Sequence, residues 1–199
     1  MNFSTKGIEV KDEQKVSKWL TPLKAHVAVI KNVEYFESSE KKTPGIKLTF
    51  MGKPMTELQG EGQKAEAQMW LSEAAYPYTQ KTLLMIVDKM GKRDEFDNLT
   101  AEAKDAKDFV SAFRVVTQNK PMTYIFGGEE VILTNDEGEQ NVWIKPTLAR
   151  YGFVGSVEDF AEYNERAEKA GDKLLRKAEV PATETTQLDN TAGMEDAAW

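Results

Sequence analysis

Ile46-Lys47-Leu48-Thr49-Phe50 alternates apolar and polar side chains with a period of two. Such a run predicts a strand with Ile46, Leu48 and Phe50 on a core face and Lys47 and Thr49 turned outward. Lys64 to Leu71 repeats the pattern, with Ala65, Ala67, Met69 and Leu71 on one face and Lys64, Glu66, Gln68 and Trp70 on the other. The β-branched and aromatic stretch 26–36 predicts an earlier strand, closed by the polar run Glu37 to Lys42. After Pro77 the period lengthens. Leu83, Leu84, Val87 and Met90 share a helical face, Pro77 suits a first helical turn and Gly91 a stop. A second helix is expected with Thr100 as its N-cap, an apolar stripe of Ala106, Phe109, Val110, Phe113 and Val116 or Thr117, and an end at Pro121.

Strand character returns over Met122 to Phe126, Glu130 to Thr134 and Gln140 to Lys145. The turn signal Asn135-Asp136-Glu137-Gly138 joins the last two. In the last strand Val142 and Ile144 face one way, and Asn141, Trp143 and Lys145 the other. Residues 157–178 read as a charged helix. The order predicts a mainly β chain with a helical insertion at about 73–120, an α+β class in which five short antiparallel strands close as an OB-type Greek-key barrel. A plain α+β sheet is the alternative. The expected domain spans 1–178, N-terminal arm included, and 179–199 form a tail.

Charge sharpens that division. Five of the seven net negative charges lie at Glu179, Glu184, Asp189, Glu195 and Asp196, in a tail without Lys or Arg that ends in Trp199. Its composition offers too little apolar surface to offset the entropy of ordering it, so it is expected to be a disordered acidic peptide with Met194 and Trp199 as hydrophobic hooks. The rest of the chain carries only −2, and a basic groove can coexist with an acidic whole. With no Cys there are no disulfides, thiolate metal sites or Cys nucleophiles. No 18-residue apolar run and no apolar signal core are present, so the expectation is a cytoplasmic protein that does not enter a membrane.

The outward faces of the strands carry the candidate chemistry. Trp and Lys alternating there are what a single-strand-binding groove uses: bases stack on exposed rings and ammonium groups neutralise phosphates without reading sequence. Trp70 and Trp143 are the stacking candidates and Lys47, Lys64 and Lys145 the phosphate contacts, with Tyr35, Tyr124, Arg150 and Tyr151 as second choices. The N-terminal series Lys6, Lys11, Lys15, Lys18 and Lys24, around Trp19 and Leu20, is compatible with a basic arm on a phosphate backbone, but its interleaving with Glu9, Asp12 and Glu13 favours a solvated arm or helix. Catalytic candidates are few. His26 is the only His, no Ser nucleophile has a motif around it, and Gly60-Glu61-Gly62-Gln63-Lys64 has the wrong spacing for a phosphate loop. Neither a metal site nor a cofactor is expected.

Three features together resemble the single-stranded DNA-binding proteins of bacteriophages: the tail Met194-Glu195-Asp196-Ala197-Ala198-Trp199, the stretch Met69-Trp70-Leu71-Ser72-Glu73 entering a helix, and the strand Ile46 to Phe50 before it. The resemblance implies an OB-fold body that holds and protects single-stranded DNA during phage replication, recombination and repair, without catalysis and with room for homo-oligomers. It also implies that the tail, through Glu195, Asp196 and Trp199, recruits replication or recombination proteins; separately, the charge asymmetry between tail and body leads to the expectation that the tail competes for the groove when DNA is absent. The tail departs from the group in being less acidic than in bacterial relatives and in ending on Trp where Phe is usual. Two other classes fit the same composition: a phage accessory or inhibitor protein acting through its acidic surface, and an enzyme of nucleic-acid metabolism.

Overall fold

The computed structural model of the chain describes residues 18–53, 63–134, 140–149 and 153–177. The chain forms a mixed α+β structure of seven strands and four helices among these residues. In chain order they are β1 (Lys24–Glu37), β2 (Pro44–Gly52), β3 (Lys64–Trp70), α1 (Tyr76–Lys89), α2 (Arg93–Ala101), α3 (Ala106–Thr117), β4 (Pro121–Thr134), β5 (Gln140–Leu148), β6 (Val154–Gly155), α4 (Phe160–Ala170) and β7 (Leu175–Arg176). The strand order is β3-β2-β1-β4-β5 with every neighbour antiparallel; β6 joins β4 antiparallel and β7 joins it parallel. β3 and β5 are the two ends of this path, and no ladder joins them among the described residues.

The alternation in β2 and β3 sets the core. Ile46, Leu48, Phe50, Ala65 and Ala67 are buried, and register places them opposite Ile30, Val33, Tyr35, Met69 and one another. β1 carries a bulge: Ile30 pairs Phe50 and Asn32 pairs Thr49, which leaves Lys31 as the extra residue. One inserted residue flips the inward phase. Even-numbered Ala28 and Ile30 face the core before it, and odd-numbered Val33 and Tyr35 share the faces of Leu48 and Ile46 after it. Before the bulge β1 is buried on both faces, because α4 packs on its outer side. There Tyr163 donates its hydroxyl hydrogen to the Val154 carbonyl at 2.7 Å, and its ring lies where a Cβ on Gly155 would sit at 2.6 Å.

The helical insertion matches the expected stretch but not the expected count. α1 begins with Pro77 in its first turn and stops at Gly91, whose φ of 64° suits a residue without a Cβ. A separate helix, α2, follows, and Thr100 lies inside it, its hydroxyl donating to the Phe96 carbonyl at 2.9 Å. The cap of α3 is Asp105 instead, an extended residue whose carboxylate accepts from the main-chain N–H groups of Lys107 and Asp108 at 2.8 and 2.9 Å. Phe96, Phe109, Phe113 and Tyr76 pack edge to face between these helices at 5.5 to 6.1 Å. Further on, the two expected strands before the turn are one strand, β4, running through Gly127 and Gly128. The expected charged helix is shorter: α4 ends at Ala170, then a 3-10 turn (Gly171–Leu174) leads to β7. The turn 135–138 and the tail lie outside the described residues.

Candidate nucleic-acid interface

The ends of the sheet meet along their outer faces. Counting antiparallel steps along the strand order, β3 and β5 both run with β1, so they approach side by side in the same direction. The contact is made by side chains. Lys64, Glu66, Gln68 and Trp70 occupy the outer face of β3 as alternation predicts, and Trp143 and Lys145 share a face of β5. Lys145 reaches the Glu66 carboxylate at 3.8 Å across the seam. Lys47 on β2, diagonal to Glu66 in register, reaches it at 3.2 Å, and Lys64 on the same strand at 3.4 Å. The three lysines singled out as phosphate contacts therefore converge on one carboxylate.

Trp143 stands beside this cluster, in company that alternation within the strands did not predict. Residues 18–20 run parallel to the start of β3: the Lys64 N–H donates to the Lys18 carbonyl at 2.9 Å, and the Leu20 N–H to the Lys64 carbonyl at 2.8 Å. Leu20 is buried next to Gly52, which turns Trp19 the other way. The Trp19 ring meets Trp143 edge to face with centroids 5.4 Å apart, and the Lys64 ammonium lies 4.6 Å from its centroid. An aromatic pair of this geometry contributes about 0.5–1.5 kcal/mol beyond its buried area, and a partly exposed cation–π contact about 0.5–1 kcal/mol. Both rings remain half-buried and so keep an accessible part.

Glu66 sits at the centre, its side chain 14% exposed. Burial by itself pushes its carboxyl up, but the hydrogen bond and charge of Lys47, with the charge and hydrogen bond of Lys64, outweigh this and hold it below its ordinary value. The carboxylate is thus ionised at neutral pH. With three lysines the cluster carries a local excess of positive charge on an acidic protein.

The other candidates lie elsewhere. Trp70 is exposed (42%), as expected of the polar face, but it stands at the far end of β3, packed on Phe36 at 5.0 Å. Six residues of strand separate it from Lys64, about 20 Å. Tyr35 points to the core side at the end of β1 near α3; its hydroxyl donates to Glu37 at 2.8 Å and Lys107 lies 5.3 Å from its ring. Tyr124 is a correction. It faces inward, fully buried, with Phe50 at 4.9 Å and Phe126 at 6.1 Å, and cannot stack on a base. Its strand pairs Tyr124 with His26, and the period that turns Met122 and Phe126 inward turns Tyr124 inward too. His26 is buried, with Nε2 donating to the Thr21 carbonyl at 2.8 Å. Arg150, Tyr151, Glu195, Asp196 and Trp199 lie outside the described residues.

A cleft of about 760 Å³ lies between β3, β5 and α1, walled by Met69, Tyr78, Met85 and Leu148. No group of three or more His, Asp or Glu among the described residues is placed to hold a metal ion. No helix among them is long and apolar enough to cross a membrane. No family model matches the chain, and no curated protein matches it.

Proposed function

We propose that the protein binds and protects single-stranded DNA through the β3–β5 seam, without catalysis. The observation that carries this reading is the convergence of Trp19, Trp143, Lys47, Lys64 and Lys145 on one outward face. Rings with an accessible part supply stacking for roughly 1–3 kcal/mol per base, and clustered ammonium groups supply sequence-independent attraction to phosphates. Trp70, on the same face of β3, gives a strand lying along β3 a second stacking point. The distance between the two suits a few nucleotides, within the 4–16 that one OB domain covers.

The fold belongs to the same proposal. The order β3-β2-β1-β4-β5, with helices between β3 and β4 and with β3 and β5 side by side, supports a sheet curled into an OB-type barrel whose closing seam is made by side chains. On this reading the protein acts by occupancy, disfavouring duplex by mass action. The acidic segment 179–199 then recruits replication or recombination proteins, a role supported by its net charge and by the apolar side chains of Met194 and Trp199.

Intrinsic Trp fluorescence tests the reading. Titration with oligo-dT should quench it at low salt and less at moderate salt, whereas duplex of equal length should not. Trp143→Ala and Trp19→Ala should each reduce the quench. No response to the single strand would sink the proposal and favour a protein that acts through its acidic surface on another protein.

A further inference from the structure

The seam contains one residue that a polyanion site does not need for attraction. Glu66 places a carboxylate within 4 Å of Lys47, Lys64 and Lys145. Resting on the single-strand reading of this face, we infer that Glu66 is an internal competitor for phosphate: its carboxylate occupies the point between the three lysines that a phosphate oxygen of the strand would take.

Two consequences follow from elementary electrostatics. Without an anion between them, three ammonium groups on one small patch would repel one another; the carboxylate removes that repulsion and keeps the lysines gathered before any ligand arrives. The same carboxylate repels every incoming phosphate. A free nucleotide or inorganic phosphate makes one such contact and must displace a group tethered to the protein, whose effective concentration is high. A strand contacts the lysines while its bases stack on Trp19 and Trp143, and the combined contacts overcome the tethered carboxylate. The arrangement thus favours a chain over its monomers. Glu129 lies opposite Lys145 in register, and the Lys145 ammonium lies 3.8 Å from the Glu66 carboxylate.

The test compares the wild-type chain with Glu66→Gln, an isosteric neutral change, and with Glu95→Gln in α2, which alters net charge equally far from the seam. Glu66→Thr, neutral and suited to a strand, carries the same charge change should Gln disturb folding. Each is titrated with oligo-dT and with dTMP at several salt concentrations, following Trp fluorescence, and circular dichroism melting checks that each folds. Glu66→Gln is expected to bind oligo-dT at least about threefold more tightly at low salt, the effect of one unit charge about 6 Å away through water. Its salt dependence should steepen by about 0.7 in log–log slope. Binding of dTMP should become detectable or strengthen, and Glu95→Gln should behave as wild type. If wild type binds oligo-dT and Glu66→Gln binds it equally or more weakly, the inference is overturned and Glu66 only positions the lysines. If wild type itself fails to bind oligo-dT, the single-strand reading falls and the inference with it.

Discussion

Replacing Lys47, Lys64 and Lys145 together by Gln removes the three ammonium groups gathered at the β3–β5 seam. Each phosphate contact to a single strand contributes about 0.7 to the slope of log affinity against log salt, so three contribute about 2. Between about 50 and 200 mM salt that slope corresponds to about 20-fold in affinity. The triple variant should therefore bind a labelled oligo-dT more weakly at low salt and lose about 20-fold less of its affinity across that range. Each single Lys→Gln change should lower the slope by about 0.7. Trp143→Ala should do the reverse, weakening binding by about 1–3 kcal/mol through lost stacking while leaving the slope unchanged. Fluorescence anisotropy at a series of salt concentrations separates the two effects. A triple variant with the wild-type slope would refute the argument, because the phosphates would then be neutralised elsewhere on the molecule.

Other expectations concern the body that holds the seam. The Tyr124 hydroxyl is buried with no hydrogen-bond partner among the described residues, so Tyr124→Phe should leave stability unchanged or raise it by up to about 1–3 kcal/mol in urea unfolding; a clear loss would contradict the packing. Burial, foremost, holds the His26 imidazole below its ordinary value, with Lys24 acting the same way and the Thr21 carbonyl opposing. The unfolded chain therefore takes up the proton first, and the contribution of His26 to stability is lost as pH falls from about 6.5 through the lower folded value. That part of the pH dependence should vanish in His26→Gln, read from urea midpoints at pH 7.5 and 5; an unaltered difference would rule it out. Asp105→Ala should cost about 1 kcal/mol in the same assay through loss of the α3 cap, whereas Thr100→Ala should cost less; equal losses would reject Asp105 as the cap.

The parts of this fold that were legible in the sequence are those where one face meets water and the other a core. β2 and β3 alternate because of that asymmetry, and the same rule correctly turned Trp70, Lys64 and Lys47 outward. β4 shows the limit. Its inward set Met122, Tyr124 and Phe126 follows the period, yet a Tyr carries a polar end that suggests a surface, and nothing local indicates that this hydroxyl is buried unpaired. α2 was missed because its apolar content is small: Phe96 is its one buried residue, so no stripe marks it. Thr100 and Asp105 both suit a cap by type, and only the tertiary path of the chain selects Asp105.

The seam was half legible for the same reason. Lys47, Lys64, Lys145 and Trp143 could be placed on outward faces strand by strand, but their meeting depends on β3 and β5 coming together across more than seventy residues of sequence. Trp19 belongs to a stretch too short to show a period, and only the burial of Leu20 fixes its direction. Glu66 looked like one more polar residue between Lys64 and Gln68; its position at the focus of three lysines comes from register with β2 and from the approach of β5.

Photo-crosslinking with an oligo-dT containing 5-iodo-deoxyuridine, followed by peptide mapping, tests the central claim most directly. Crosslinks to Trp19 and Trp143, lost when excess unlabelled oligo-dT is added, are the predicted result. Crosslinks confined to the helices α1 to α3 or α4, or none above the level of a duplex control, would contradict it.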